Sequence, residues 1–251
     1  MTSLFIVTGA SRGLGRAMAE QLFAPDTLVL ALARTINSDL ERSARAAGAR
    51  CEQWTQDLAD GARAAARLES WLQQQRAEDF ARATLINNAG LMHRVGPIDR
   101  TTFDDLAAVL RVDLEAPLLL TQAFLRATRD WHAERRVLNI SSGAGRTAFA
   151  AWAGYCAAKA GLDHASRVIA LDEARLANPA RIVSLAPGVI DTQMQTDLRA
   201  ADPSGFPDQQ RFIDFHARSE LASPAEAARR VLTYLARPDF GSTVVADVRN
   251  A

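Results

Sequence analysis

The sequence predicts one doubly wound α/β domain with a mostly parallel seven-stranded sheet and helices on both faces, and three observations predict it. Short runs rich in leucine and β-branched residues alternate with longer Ala/Arg/Leu segments along the chain. Those runs are continuously apolar, which is the pattern of parallel strands covered on both sides. A glycine-rich turn, "TGASRGLG" at 8–15, directly follows the first run.

The strand candidates are "LFIVT" at 4–8, "TLVLALA" at 27–33, "ATLINN" at 83–88, "RVLNIS" at 136–141, "RIVSLAP" at 181–187 and "STVVADV" at 242–248, with a weaker one, "ARCEQW", at 49–54. After the first strand a helix continues to about Phe23. No linker or repeat interrupts the series, so the domain is read as residues 1–251. The one irregular stretch runs over 191–212, with Pro203, Gly205 and Pro207. A long insertion with its own turn signals at this place is expected to be a substrate lid, spanning about 191–220.

Composition narrows the function. With 29 basic and 29 acidic residues the formal net charge is zero, so no global field draws in nucleic acid or an anionic membrane. Two cysteines, Cys51 and Cys156, are too few for a disulfide framework, and the four histidines lack metal-ligand spacing. No metal is expected. No apolar segment approaches the roughly 20 residues of a membrane span, and a reducing cytoplasm is the expected location.

The glycine turn implies a dinucleotide. Gly9, Gly13 and Gly15 allow a tight turn, close approach of backbone to phosphate, and close packing of the following helix. The N–H groups of Ser11, Arg12 and Leu14 belong to the same turn and helix start, where a pyrophosphate is favoured. Where NAD binders place a carboxylate at the end of the second strand, this chain has Ala33 and Arg34. Arg34 and Arg12 suit a 2′-phosphate, because a guanidinium grips phosphate bidentately, so NADP(H) is the expected cofactor; a solvated loop arginine is the competing reading of Arg34. Asp57, in "QDL" with Leu58, is placed to accept from the adenine amino group, or is simply an exposed turn residue.

The chemistry centres on "WAGYCAAKAG", 152–161. Tyr155 and Lys159 are four positions apart, so on a helix they share a face. A neighbouring cation favours the phenolate and brings the phenol nearer working pH as a general acid or base. Ser142, in "NISSGAG" at a strand's C-terminal end, is where ligands of open α/β sheets bind. Its hydroxyl would polarise a substrate carbonyl while Tyr155 supplies the proton.

With these residues in view, the chain resembles the classical short-chain dehydrogenases/reductases over nearly its whole length. The resemblance rests on "TGASRGLG", "NNAG" at 87–90, Ser142, Tyr155 with Lys159, and "PGVIDT" at 187–192. It implies a Rossmann-type domain in which Ser142, Tyr155 and Lys159 are the catalytic trio and Lys159 also bonds the nicotinamide ribose. Asn87, Ala89 and Gly90 would line the adenosine side and steady the central sheet. Pro187, Gly188, Val189 and Thr192 would hold the nicotinamide, with the Thr192 hydroxyl on the carboxamide. Two long helices, roughly 100–128 and 152–177, would pair with their copies in a homodimer or homotetramer.

Two departures from the family pattern stand out. Asp113 occupies, in "RVDLEAP", the place of an Asn that bends its helix and anchors a water linking the Lys to solvent; the expectation is activity with altered pH dependence. The chain also ends "GSTVVADVRNA" rather than in a glycine-rich turn. With the long 191–220 segment, this is similar to the branch containing sepiapterin reductase and the bacterial benzil reductases, and implies an NADPH-dependent carbonyl reductase acting on one carbonyl of a vicinal diketone. An alcohol or hydroxysteroid dehydrogenase working oxidatively, and a non-catalytic NADP sensor, are the alternatives. Met92, His93, Gly143, Ala144, Trp152 and Val189 are expected to face the small-molecule substrate.

Overall fold

The computed structural model describes residues 1–92 and 94–250. Seven strands form one sheet: β1 (Thr2–Thr8), β2 (Thr27–Ala33), β3 (Arg50–Thr55), β4 (Phe80–Asn87), β5 (Glu134–Ile140), β6 (Arg181–Ala186) and β7 (Val245–Asp247), in the order β3-β2-β1-β4-β5-β6-β7. Every pairing between these strands is parallel. The helices are α1 (Gly13–Gln21), α2 (Ser38–Ala46), α3 (Gly61–Gln73), α4 (Phe103–Leu110), α5 (Ala116–Ala127), α6 (Ala153–Glu173), α7 (Gln193–Arg199), α8 (Gln209–Ala217) and α9 (Pro224–Ala236).

Both faces of the sheet are apolar, and successive strand residues feed opposite cores. Leu4 and Ile6 of β1 pack with Leu68, Leu72, Leu120 and Phe124 of α3 and α5. Phe5 and Val7 pack with Leu14, Met18, Val231 and Leu235 of α1 and α9. Continuous apolar strands are therefore needed throughout the centre of the sheet, while edge strand β3 buries only Trp54 of its six residues and reads more weakly in sequence for that reason.

Helix starts follow the capping residues. Asp60 accepts from the Arg63 N–H at the start of α3, Thr102 from the Asp105 N–H at α4, and Ser223 with Glu226 forms a capping box at α9. Three sequence expectations are corrected in extent. The helix expected over 100–128 is α4 and α5 joined through a π-helical turn, Arg111–Glu115, whose widened turn bends the rod and aims Asp113 inward. The last strand is three residues rather than seven, because Ser242 and its neighbours form turns before β7. The irregular 191–212 stretch contains α7 and the start of α8. No helix among the described residues is long and apolar enough to cross a membrane.

The strand order reverses between β1 and β4. The loops after β1, β4, β5 and β6 thus open side by side at the C-terminal edge of the sheet, where a ligand crevice forms.

Candidate active site

The glycine turn is built for close approach. Gly9 and Gly13 have φ of +68° and +57°, in the left-handed region that favours glycine. A Cβ on Gly15 would lie 2.3 Å from the Gly9 carbonyl oxygen and 2.4 Å from Asn88 Nδ2, so α1 starts pressed against its own turn. Arg12 precedes α1 in extended conformation and its side chain makes no capping bond. The first N–H groups of α1 thus fit an anionic ligand. Thr192, at the head of α7, also leaves its hydroxyl out of capping, and its Cγ2 lies 3.7 Å from where a Gly13 Cβ would stand. Pro187, Gly188 and Val189 lead from β6 into this corner, with Gly188 at φ +83°.

Asn88, which sequence reasoning did not single out, fastens the turn. Its side-chain amide donates to the Thr8 carbonyl at 2.9 Å, and the N–H groups of Asn88 and Ala89 both donate to Thr8 Oγ1 at 2.9 Å. Asn87 points inward instead, donating to Asn139 Oδ1 at 2.8 Å and Thr121 Oγ1 at 3.1 Å. Its side chain ties β4 to β5 and α5, which leaves its backbone for any ligand. Leu58 is similar: its side chain belongs to the core, while the Asp57 carboxylate accepts from the Ala59 N–H at 2.9 Å. Arg12 and Arg34 are both exposed. The Asn37 side chain donates to the Ser11 carbonyl, holding the loop after β2 against the glycine turn.

Tyr155 and Lys159 lie on the first turns of α6, with Lys159 Nζ 5.5 Å from the phenol ring centre. Ser142, just after β5, lies close enough to Tyr155 to pull the phenol pKa down, and its Oγ accepts from the Ala144 N–H at 3.2 Å. Lys159 Nζ donates to the Ile140 carbonyl at 3.2 Å and stands 3.2 Å from Asp113 Oδ2. The other carboxylate oxygen of Asp113 accepts from the Leu91 N–H at 2.8 Å. Gly90 covers the pair, since a Cβ there would lie 3.2 Å from Asp113 Oδ2 and 3.6 Å from Lys159 Nζ. The four predicted residues from three separate elements therefore converge.

Their electrostatics differ from the sequence expectation. Burial pushes the Tyr155 pKa up and the Asp113 charge adds to it, outweighing the downward pull of Lys159 and of Ser142. The balance favours the neutral phenol over the phenolate. For Lys159 burial opposes the charge, but Asp113 and Tyr155 more than offset it, and its pKa lies above the ordinary lysine value.

Beside Tyr155 a shallow open cleft of about 40 Å³ is lined by Met92, Val95, Leu106, Val109 and Trp152, with Arg94 and Asp105 as its charged members. Trp152 is buried among aromatic rings: Phe149 at 5.0 Å, Phe212 at 5.5 Å, Phe206 at 5.9 Å and, edge-on, Tyr155 at 5.8 Å. Phe206 and Phe212 come from the 191–220 segment, whose ends are drawn together by a bridge between Ile190 and Ala222. A Cβ on Gly143 would meet nothing within 4 Å, whereas Ala144 is buried in the aromatic cluster. His93 lies outside the described residues. Among the described residues no group of three or more His, Cys, Asp or Glu is placed to hold a metal ion.

Comparison with known proteins agrees with this geometry. Residues 3–203 match the family model described as short chain dehydrogenase. The chain is 32% identical over 235 residues to a benzil reductase ((S)-benzoin forming) of Bacillus cereus, covering 94% of each chain. It is 31% identical to the sepiapterin reductase of Meriones unguiculatus, covering 96% of this chain and 94% of that one. Among solved structures, KRED1-Pglu superposes with a TM-score of 0.79 at 27% identity, over 96% of this chain and 99% of that one. A metagenomic short-chain oxidoreductase in complex with NADP gives 0.72 at 27% identity, over 98% and 94%. A parallel sheet with a glycine turn at its switch point, a serine, tyrosine and lysine meeting beside it, and a match over most of the length lead to one conclusion: the chain belongs to the short-chain dehydrogenase/reductase family of oxidoreductases.

Proposed function

We propose that this protein is an NADPH-dependent carbonyl reductase whose substrate is a ketone with an aromatic or otherwise flat apolar body, one carbonyl of a vicinal diketone of the benzil or sepiapterin kind. The observation that carries the reading is Tyr155, with Ser142 beside it, at the edge of a largely apolar cleft. A ketone oxygen that inserts between the two hydroxyls accepts from both. Ser142 orients and polarises it, and Tyr155 gives up its proton as negative charge develops there. Lys159 stabilises the phenolate that this leaves behind.

The bound nicotinamide supplies the hydride. Gly9, Ser11, Arg12, Gly13, Leu14 and Gly15 hold the pyrophosphate side, Arg34 the 2′-phosphate, and Thr192 the carboxamide. The raised Tyr155 pKa suits reduction, in which the phenol must hold its proton when the hydride arrives, whereas oxidation draws on the phenolate. The 191–220 segment acts as the lid, bringing Phe206 and Phe212 over the substrate side of Trp152. Exposed Phe103 on α4 and Leu171 on α6, 93% and 71% accessible, support a homodimer or homotetramer through these helices, which light scattering measures.

The test is NADPH consumption against benzil, sepiapterin-like diketones and simple ketones, with chiral analysis of the alcohol. Tight NADPH binding with no turnover of any carbonyl would favour a sensor instead.

A further inference from the structure

Asp163 is a buried carboxylate, 2% exposed, that the mechanism above does not use. It lies on α6 one turn beyond Lys159 and two beyond Tyr155. Its Oδ1 accepts from Ser141 Oγ and from Ser184 Oγ, both at 2.6 Å. Its Oδ2 stands 3.5 Å from Arg146 Nε. Between these anchors, Gly145 sits so close to the helix that a Cβ there would lie 2.8 Å from Asp163 Oδ2 and 3.0 Å from the Lys159 carbonyl. A carboxylate taken out of water is unfavourable unless it is paired and hydrogen-bonded; here Oδ1 takes both hydrogen bonds, while among the described residues Oδ2 accepts none and has only the ion-pair contact with Arg146.

The placement of those partners is informative. Ser141 precedes Ser142 and Arg146 follows it by four residues, so one carboxylate grips both ends of the loop that carries the reactive hydroxyl. We infer that Asp163 is a positioning residue that clamps the 141–146 loop to α6 and thereby fixes Ser142 Oγ against Tyr155 on the same helix. The inference rests on the assignment of Ser142 and Tyr155 made above. Ser184, on β6, bonds the same carboxylate oxygen from the sheet rather than from the loop, which provides an internal control: two bonds of equal length end on Asp163 Oδ1, one from the loop and one from the sheet.

The full-length protein carrying Ser141→Ala is compared with Ser184→Ala, alongside Asp163→Asn and Asp163→Ala. Two readouts are taken: kcat and KM for a vicinal diketone with NADPH, and the Cζ resonance of isotope-labelled Tyr155 at neutral pH. The chain has two tyrosines, so a Tyr234→Phe background leaves Tyr155 as the single signal, and Ser142→Ala supplies the reference for a lost Ser142 hydroxyl. Ser141→Ala lowers kcat by about 10- to 100-fold, the scale of a small misplacement of a reacting group, with KM changed little, and moves the resonance in the direction of Ser142→Ala. Ser184→Ala leaves both near the unsubstituted values. Asp163→Asn, which keeps an acceptor for Ser141, retains more kcat than Asp163→Ala. Equal effects of Ser141→Ala and Ser184→Ala, or an unmoved resonance in Ser141→Ala, overturn the clamp. Should Asp163→Ala fail to fold, the two serine variants still decide. If the unsubstituted protein reduces no carbonyl, the functional reading fails, and the resonance alone judges the clamp.

Discussion

Asp113 Oδ2 and Lys159 Nζ stand 3.2 Å apart, with both side chains at most 4% exposed. The family pattern has a neutral amide here, so this chain exchanges a hydrogen-bonding group for a buried ion pair. Removing one partner of such a pair strands the other: Asp113→Ala is expected to destabilise the fold by about 3–5 kcal/mol, read from urea unfolding. Asp113→Asn takes away a charge that raises the Tyr155 pKa, so the alkaline limb of kcat/KM for reduction, which needs protonated Tyr155, moves to lower pH. An unchanged pH–rate profile would show that the carboxylate does not act on the phenol. The linkage sign is also fixed. The folded Lys159 pKa lies above the ordinary 10.5, so this contribution to stability is fully present below pH 10.5 and fades as pH rises through the folded value. The stability gap between the unsubstituted protein and Asp113→Asn is expected to narrow as pH rises through that alkaline range.

Tyr155→Phe removes the proposed proton donor but keeps the ring that packs edge-on against Trp152. Its kcat is expected to fall by about 10²–10⁴-fold, with NADPH affinity retained. Ser142→Ala removes one donor to the substrate oxygen, worth about 10²–10³-fold in kcat. Steady-state loss of NADPH absorbance with a diketone checks both, and circular dichroism confirms that neither has unfolded.

Arg34, exposed just after β2, is the residue proposed to select the cofactor. A charge-assisted contact to a 2′-phosphate contributes about 1.5–3 kcal/mol, so Arg34→Asp is expected to lower kcat/KM for NADPH by about 10- to 100-fold while improving that for NADH. Parallel titrations with the two cofactors measure it; an equal loss with both would remove Arg34 from the role.

Gly15→Ala forces a methyl to within 2.3 Å of the Gly9 carbonyl oxygen. Backbone must move, at about 1–3 kcal/mol, and the phosphate turn moves with it. A lower Tm together with lost quenching of protein fluorescence by NADPH is the expected result. A lower Tm with unchanged NADPH binding would place the turn outside the cofactor site.

Much of this was legible along the chain because it is local. The continuous apolar runs specify strands buried on two faces, the glycines at 9, 13 and 15 specify a turn that other residues cannot make, and four-residue spacing puts Tyr155 and Lys159 on one helical face whatever surrounds them. Edge strand β3 was less distinct, since a strand covered on fewer sides carries a weaker apolar signature, and β7 was read too long because an apolar run does not show where turns cut it short.

Contacts between distant segments were settled by tertiary packing. The π-helical turn that swings Asp113 onto Lys159, the inward turn of Asn87 with Asn88 taking up the Thr8 backbone, the aromatic lid around Trp152, and the grip of Asp163 on the Ser142 loop all join residues far apart in sequence. Composition and periodicity describe how a segment divides itself between water and core; which buried charge meets which hydroxyl depends on how those segments stack, and no stretch of sequence contains both partners.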